Sequence, residues 1–206
     1  MTRADEIRAR ALEELRRNGV LMLDGHFDYG NGYHGGAYLN PHQLFRYPST
    51  IWRLAQDLLD LVPSEMAYST EVVAGPATGG ALLAHTIAGL LDSRRSLTHP
   101  PCSFAPFGLD GGGELTMRDF YRQQMRGKRV LLADDVRNTG QTLARAAGLV
   151  RDAGATVLGA IVICDRMEPI VAFDAPLVAL VEYQAPQNFP ANACPLCAAG
   201  TSITSF

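Results

Sequence analysis

The sequence predicts an α/β fold with a doubly wound, mostly parallel sheet, and three observations support this prediction. Apolar runs alternate with amphipathic stretches through most of the chain, which is the order of elements in a parallel sheet. Glycine-containing turns follow two of the runs, GPATGG after EVVA and NTGQT after VLLADDVR, so strand, turn and helix repeat as a unit. The 206 residues are enough for one such domain with a modest N-terminal addition.

The N-terminal part predicts a layer added to that sheet. Thr2 can cap a helix that runs to about residue 17, because apolar residues recur on one face and Gly19 follows as a stop. Residues 20–23 predict a short strand. Residues 24–47 are rich in Gly, Asn, His and Tyr, which is typical of hairpins and irregular turns.

The rest of the chain predicts the strands and helices of the sheet itself. Apolar runs predict strands over residues 71–74, 103–106, 129–133, 156–164 and 176–182. Amphipathic stretches predict helices over residues 50–61, 81–91 and 139–152. Between the second and third strands, residues 107–126 contain three consecutive glycines and little apolar periodicity. We therefore predict a long functional loop there.

Composition and charge argue against two classes of function. Charged residues make up 19% of the chain and the net charge is -3, so no overall positive field would hold nucleic acid by its phosphates. The N-terminus is charged rather than apolar, and no stretch approaches the roughly eighteen apolar residues that a membrane span needs. We expect a cytoplasmic protein that binds neither nucleic acid nor membrane.

The four cysteines give only a weak indication of metal binding. They are Cys102, Cys164, Cys194 and Cys197. A structural zinc site usually needs four ligands, and the single CxxC at the C-terminal end has no second CxxC and no HxxxH to complement it. The spacing favours reduced cysteines in a C-terminal turn over metal or redox use.

The segment VLLADDVRNTGQT places two carboxylates where a buried strand is predicted to end. Ligands of parallel sheets bind at that end of the strands. Two adjacent charges are tolerable there if Asp134 and Asp135 accept hydrogen bonds or face a cation. The amides and the side chains of Asn138, Thr139 and Thr142 at the following helix start would bind an anion.

The two carboxylates can accept hydrogen bonds from hydroxyl groups, and the neighbouring amides can bind a phosphate. Together they predict a sugar phosphate as the ligand. The alternative is an acidic pair that only caps the next helix. The phosphate-binding motifs GxxxxGK[ST] and GxGxxG after a strand are absent from the sequence, which disfavours nucleotide hydrolases and dinucleotide-binding enzymes.

The same segment resembles the phosphoribosyl pyrophosphate (PRPP) signature of type I phosphoribosyltransferases. Three further segments follow the order found in orotate phosphoribosyltransferases. HFDYGNGYHGGAYLN is similar to their N-terminal segment, VVAGPATGGALLA to their pyrophosphate loop, and ICDRMEP to the strand end that carries their base-recognising arginine. NACPLCAAGTSI is similar to the C-terminal tail of some bacterial members. The resemblance spans nearly the whole chain.

The resemblance implies one phosphoribosyltransferase domain over residues 1–206, in which residues 1–47 form an N-terminal helix and a hood-like base-binding segment. It assigns ribose contacts and catalysis to Asp134 and Asp135, with Arg118 as a catalytic cation. It assigns the 5′-phosphate to Asn138, Thr139, Gly140, Gln141 and Thr142. It assigns the pyrophosphate to Gly75, Pro76, Ala77, Thr78 and Gly79, and the base to Arg166 and Phe27. The implied cofactor is Mg²⁺, held mainly by PRPP, and the implied assembly is a homodimer.

Three of these assignments have structural alternatives. The glycines from Gly75 to Gly80 also suit a plain strand-to-helix turn. Arg166 can instead form an ion pair with Glu168 or Asp165. Phe27 is equally suited to a hydrophobic core.

The implied reaction transfers phosphoribose from PRPP to a base, most simply orotate, giving orotidine 5′-monophosphate and pyrophosphate. The family's mobile loop over the site corresponds to residues 107–126, whose cations are Arg118, Arg122 and Arg126, with no lysine before Lys128. Arginine can stabilise phosphate charge but does not donate a proton in practice. One alternative is therefore a PRPP-binding regulatory or catalytically weakened paralogue. Another is a transferase for a different base, because residues 31–35 are NGYHG where the family often has Ser-Gly-Arg-His-Ser.

Overall fold

The computed structural model describes residues 1–29, 32–77, 79–96, 98–168, 171–184 and 188–205. Its strands are β1 (Leu21–Met22), β2 (Phe27–Asp28), β3 (Tyr33–Gly35), β4 (Tyr38–Leu39), β5 (Val72–Pro76), β6 (Ser103–Leu109), β7 (Leu115–Thr116), β8 (Arg129–Arg137), β9 (Thr156–Asp165), β10 (Leu177–Glu182) and β11 (Asn188–Pro190). Its α-helices are α1 (Arg3–Arg17), α2 (His42–Phe45), α3 (Pro48–Leu61), α4 (Ser64–Ser69), α5 (Gly80–Ser93), α6 (Asp119–Met125), α7 (Gln141–Asp152) and α8 (Pro195–Ala198).

The central sheet has six strands in the order β10, β9, β8, β5, β6, β7. All neighbouring pairs are parallel except β6 with β7. The chain builds outward from β5 to β6, then returns to place β8 on the other side of β5. In such sheets the ligand site lies outside the carboxyl ends of the two strands at this reversal. The predicted doubly wound α/β fold is confirmed, and it places the site beyond β5 and β8.

Both faces of the sheet are covered, so its middle strands are buried on both sides. In β8, Leu131 and Ala133 belong to the core on one face, together with residues of α1, α3 and α5. Val130 and Leu132 belong to the core on the other face, together with residues of α7. This alternation follows the period of two along a strand. Within the described ranges, none of the helices has the length and apolarity needed to cross a membrane.

The N-terminal helix agrees with its prediction. Thr2 accepts a hydrogen bond from the Asp5 amide, and the Asp5 carboxylate accepts one from the Thr2 amide. This reciprocal cap satisfies two amides at the helix start. Residues beyond the helix form two small sheets, β1 with β4 and β11 with β3 and β2. The second of these joins the N-terminal segment to the C-terminal tail.

The prediction of a low-order loop over residues 107–126 is wrong. β6 continues to Leu109, β7 pairs back onto it, and α6 follows. The turn between the strands is held by Asp110, whose carboxylate accepts hydrogen bonds from the amides of Gly112 and Glu114. Met125 is fully buried. The apolar contacts of this segment are made with the sheet, which local periodicity does not reveal.

β8 is also longer than predicted. It runs to Arg137 rather than ending at residue 133, and α7 begins at Gln141 rather than at residue 139. The neighbouring strand β9 extends to Asp165, and Arg137 is in register with Asp165. Pairing with β9 therefore continues the strand through the two acidic residues.

A close backbone contact sets the distance between the end of β5 and β8. A Cβ atom on Gly75 would lie 2.5 Å from the Ala133 carbonyl oxygen, and one on Gly80 would lie 2.3 Å from the same oxygen. Both distances are shorter than any real Cβ contact. Glycine is required at both positions because the opposing atom belongs to the backbone and cannot rotate away.

We predict that Gly80→Ala lowers the free energy of unfolding by about 1 to 3 kcal/mol, because the new methyl group overpacks against β8. The matched control is Gly148→Ala in α7, where a Cβ meets nothing within 4 Å. The control should raise the free energy of unfolding by about 0.5 to 1 kcal/mol through helix propensity. Urea unfolding followed by circular dichroism measures both. Equal effects of the two substitutions would contradict the contact.

Candidate functional site

Two adjoining cavities open at the carboxyl ends of β8 and β9. Their volumes are about 690 and 420 Å³, which is the size range of small-molecule sites. Residues common to both linings include Tyr29, Asp134, Asn138, Thr142 and Arg166. The two cavities therefore form one continuous cleft at the place where the fold predicts a ligand.

The acid pair, Asp134 and Asp135, lies along the smaller cavity. Asp134 is 5% exposed. Its carboxylate accepts a hydrogen bond of 2.9 Å from the Asp135 amide, and the Asp135 carboxylate accepts one of 2.7 Å from the Val136 amide. Burial, followed by the charge of Asp135, raises the pKa of Asp134 well above its ordinary value. Burial also raises the pKa of Asp135.

The free chain therefore holds two carboxyl groups in an environment that disfavours their charge. Hydrogen-bond donors or a cation brought by a ligand would stabilise the ionised form. The hydroxyl groups of a sugar are donors of this kind.

Residues 138–142, which we call the amide turn, connect β8 to α7 and line the larger cavity. Gly140 has a φ of +85°, a conformation that favours glycine. Among the described residues, none accepts a hydrogen bond from the amides of Asn138, Thr139, Gly140 or Thr142. These amides stand at the positive end of a twelve-residue helix, so together they suit an anion such as a phosphate group.

Residues 75–77, 79 and 80, which we call the glycine turn, face the acid pair. Gly75 and Pro76 are the last residues of β5, and Pro76 lines the smaller cavity. A Cβ on Gly79 would lie 2.0 Å from an Asp135 carboxylate oxygen. Glycine at position 79 therefore lets the carboxylate lie against the turn. Ala77 follows the strand and donates its amide to the Phe107 carbonyl, whereas Thr78 lies outside the described residues.

Arg166, predicted to recognise the base, lines both cavities. Its guanidinium lies 5.7 Å from the centre of the Tyr29 ring and 3.5 Å from a Glu168 carboxylate oxygen. The ion pair with Glu168 that the sequence analysis gave as an alternative is therefore present, and Glu168 also lines the larger cavity. The arginine faces the cleft while it is held at one side by an aromatic ring and at another by a carboxylate.

A second arginine of the cleft was missed from the sequence. Arg137 lines the larger cavity and forms a two-point ion pair with Asp165, a residue that is 3% exposed. The same carboxylate accepts the Met167 amide at 3.0 Å. The pair fixes the ends of β8 and β9 beside the amide turn and leaves Asp165 unavailable to Arg166. Only the parallel register of the two strands brings these residues together.

Other cleft residues come from the small sheets and the short helix α2. Tyr29, Tyr33 and Asn188 line the larger cavity, and His42 lines the smaller one. The Tyr29 hydroxyl donates to the Ala37 carbonyl at 2.7 Å, and burial raises the pKa of Tyr29. Tyrosines in a glycine-rich segment give no local indication that they line a site, so the sequence did not distinguish them.

Two predicted site residues lie away from the cleft. Phe27 is 6% exposed, packs near Tyr38 and lines neither cavity, as its core alternative predicts. Arg118 is an exposed residue that precedes α6 and lines neither cavity. Its catalytic assignment requires either movement of this segment or a site on a second copy of the chain.

Comparisons with known proteins agree with the geometry. The family described as "Phosphoribosyl transferase domain" matches residues 49–193. An orotate phosphoribosyltransferase of Caldanaerobacter subterraneus is 30% identical, with 87% of this chain and 86% of that protein covered. One of Thermus thermophilus is 30% identical over 93% of this chain and 97% of that protein.

Solved structures show the same fold. Orotate phosphoribosyltransferase of Aeropyrum pernix superposes with a TM-score of 0.63 at 24% identity, covering 82% of this chain and 92% of that one. The Mycobacterium tuberculosis enzyme in complex with PRPP superposes with a TM-score of 0.57 at 17% identity, covering 86% and 89%.

We predict that Asp134→Asn makes the unliganded protein more stable at neutral pH, by about 1 to 3 kcal/mol. The folded-state pKa of Asp134 is raised, so the wild-type protein loses stability relative to the variant as pH rises through that pKa. Asparagine keeps an oxygen for the Asp135 amide but carries no charge. Urea unfolding between about pH 5 and pH 8 measures the difference.

The control for this experiment is Asp119→Asn, because the Asp119 side chain is 93% exposed and its removal should leave the pH dependence of stability unchanged. The raised pKa would be contradicted if the stability difference between the Asp134→Asn variant and the wild-type protein did not change with pH, or if it had the opposite sign.

Proposed function

The chain belongs to the phosphoribosyltransferase family, and from this premise we propose that it transfers the phosphoribosyl group of PRPP to orotate. The products are orotidine 5′-monophosphate and pyrophosphate, in pyrimidine synthesis. One observation carries the proposal. The acid pair and the open amides of the amide turn lie in a single cleft at the strand reversal, and they follow one another along β8 and the turn after it.

The amide turn and the acid pair hold the sugar in this proposal. Amides of residues 138–142 donate to the 5′-phosphate, with the helix dipole of α7 behind them. The ribose hydroxyls donate to Asp134 and Asp135, and these bonds add to the one amide hydrogen bond that each carboxylate accepts in the free chain. Both ends of the phosphoribosyl group are thereby fixed, so that carbon C1 is presented to the base in a defined orientation.

The bond from C1 to the pyrophosphate breaks while a bond from the base nitrogen to C1 forms, and the proton of that nitrogen passes to the departing pyrophosphate or to water. In this family the transition state resembles an oxocarbenium ion, with positive charge on the sugar and negative charge on the departing pyrophosphate. The acid pair lies beside the sugar and can stabilise its positive charge. The glycine turn lets backbone groups approach the pyrophosphate, since no side chain intervenes at Gly75 or Gly79.

The residues present fit Mg²⁺, which prefers oxygen ligands from carboxylates, hydroxyls and phosphates. Asp134 and Asp135 are the carboxylates at the smaller cavity, and burial raises the pKa of each, so a bound cation would favour their ionised form. We propose that PRPP supplies most of the ligands and the acid pair the rest. When bound, the ion adds positive charge that stabilises the departing pyrophosphate.

Arg166 is the proposed contact for the base. Its planar guanidinium can donate two parallel hydrogen bonds to a carboxylate, and orotate is an anionic pyrimidine that carries one. The ring of Tyr29 lies under the guanidinium and limits its orientation. Glu168 forms an ion pair with Arg166 in the free chain, so the base competes with this carboxylate for the Arg166 guanidinium.

The closing segment and the assembly are further parts of the proposal. Residues 107–126 carry Arg118, Arg122 and Arg126, and closure of this segment over the cleft of a partner copy would bring positive charge to the pyrophosphate. A homodimer is proposed on this ground, and light scattering of the free chain tests it. The cytoplasmic location expected from the sequence stays a prediction.

A second candidate function is PRPP binding without transfer, as in a regulatory protein. The supporting observation concerns Lys128, the first lysine after the segment. Its ammonium group lies 3.1 Å from a Glu71 carboxylate, at the amino end of β8 and therefore at the far edge of the sheet from the cleft. The catalytic lysine common in the family thus has no counterpart in residues 107–126.

We predict that PRPP, Mg²⁺ and orotate together give turnover, measured as loss of orotate absorbance. Asp134→Asn and Asp135→Asn should each lower kcat/KM by about 100-fold or more, because the ribose loses charged acceptors. Turnover only with another base would remove orotate from the proposal. Calorimetric binding of PRPP without turnover on any pyrimidine or purine base would favour the regulatory candidate, and Arg118→Lys should then introduce activity.

We predict that Arg166→Gln raises KM for orotate by about 10- to 100-fold, because a charge-assisted pair of hydrogen bonds is lost. KM for PRPP should change little. The matched control is Arg145→Gln, because Arg145 forms an exposed ion pair with Glu114 and lines neither cavity. Equal effects on the two KM values would show that Arg166 supports the cleft generally rather than recognising the base.

A further inference from the structure

Two histidines and two cysteines converge on one point away from the cleft. They are His26, His34, Cys194 and Cys197, and one ligand atom from each lies within 4.8 Å of those of the other three. The histidines belong to the N-terminal segment and the cysteines to the C-terminal tail, more than 150 residues apart in the chain. His26 and Cys194 are 3% and 4% exposed, His34 is 9% exposed, and Cys197 is at the surface.

The distances between these atoms match the edges of a metal-centred tetrahedron. With Zn–S of about 2.3 Å and Zn–N of about 2.0 to 2.1 Å, a tetrahedral site has S···N edges of about 3.5 to 3.6 Å and an N···N edge of about 3.3 to 3.4 Å. Three of the four S···N distances are 3.5, 3.6 and 3.3 Å, and the fourth is within 4.8 Å. The distance from His26 Nε2 to His34 Nδ1 is 3.4 Å.

The outer ring nitrogens are oriented as metal-bound histidines require. His26 Nδ1 lies 2.9 Å from the Thr201 carbonyl oxygen, which can only accept, so this nitrogen carries the proton. The lone pair is therefore on Nε2, which points at the cluster. His34 presents Nδ1 to the cluster, and its Nε2 faces the Asp28 carboxylate at 3.9 Å. Carbonyl and carboxylate partners of this kind fix the tautomer of histidines that bind zinc.

We propose that these four residues bind one structural Zn²⁺ ion with two sulfur and two nitrogen ligands. The ligand set is closed, because four protein donors leave no position for water or substrate, which is typical of structural rather than catalytic zinc. The sequence favoured reduced cysteines because CPLC has no partner motif nearby. The fold supplies the missing ligands from residues 26 and 34.

The ion would fasten the C-terminal tail to the sheet formed by β11, β3 and β2. In that sheet Asn188 is in register with Gly35, and Pro190 with Tyr33, while Phe27 bridges to Thr204. Tyr33 and Asn188 both line the larger cavity. The zinc site would therefore hold the wall of the cleft next to Arg166, a consequence that rests on the proposed function.

A disulfide or redox pair explains the cluster less well. The two cysteines of a CxxC pair need no histidines to form a disulfide, whereas here each ring presents a nitrogen within 3.6 Å of a sulfur. Zinc satisfies all four groups at once.

The first test is the metal content of the full-length protein purified under reducing conditions. Elemental analysis after dialysis against a weak chelator should give about one zinc per chain. X-ray absorption at the zinc edge should show two sulfur and two nitrogen neighbours, and the Co²⁺-substituted protein should show the visible absorption of a tetrahedral thiolate site. These measurements use the wild-type chain and do not depend on the folding of any variant or on activity.

The second test uses substitutions with matched controls. Cys194→Ser and His26→Asn should each lower zinc content at least tenfold, whereas Cys102→Ser and His99→Asn should keep about one zinc per chain. Zinc that is absent from the reduced wild-type protein, zinc that binds equally to all four variants, or a Cys194–Cys197 disulfide found by mass spectrometry would each overturn the proposal. Loss of transferase activity alone would not bear on it, since metal content is measured separately.

Discussion

The contact between the glycine turn and the Ala133 carbonyl is the constraint on which the site depends. Because Gly75 and Gly80 carry no side chains, β5 and the start of α5 approach β8 more closely than any other residue would permit. The approach brings Gly80 beside the Asp134 backbone, and Gly79 admits the Asp135 carboxylate directly. Without it, the groups proposed to bind pyrophosphate and ribose would lie in separate places.

The acid pair shows that the site is arranged for its ligand rather than for the stability of the free chain. Burial disfavours the ionisation of both carboxyl groups, and the charge of Asp135 adds to this effect at Asp134. Their hydrogen bonds to the next amides satisfy only part of their capacity. The neighbouring amide turn has donors without acceptors among the described residues. The carboxylates can accept further hydrogen bonds and the turn amides can donate them, and the proposed phosphorylated sugar offers partners for both. Stability given up at a binding site in this way is common in enzymes.

The wall opposite the sheet is built differently, from short strands with little core of their own. β2, β3 and β11 have two or three residues each, which is too short for independent stability. They carry Tyr33 and Asn188 to the cavity, so they need another source of order. Pairing between the chain termini supplies part of it, and the proposed zinc ion supplies the rest, as metals often do where hydrophobic burial is insufficient.

The sequence by itself determined the fold class, the parallel strands of the central sheet, the helices α1, α3, α5 and α7, and the acid pair with its amide turn. These depend on hydrophobic periodicity and on residues adjacent in the chain. The sequence did not predict β7 and α6 within residues 107–126. Met117 and Met125 of this segment are buried against residues that are distant in the sequence. Only the tertiary structure decided that Arg137 forms an ion pair with Asp165 and that the Tyr29 ring lies under the Arg166 guanidinium. It also decided that two histidines and two cysteines lie close together. Strand register and the packing of the C-terminal tail against the N-terminal segment create these contacts. Neither produces a local pattern in the sequence.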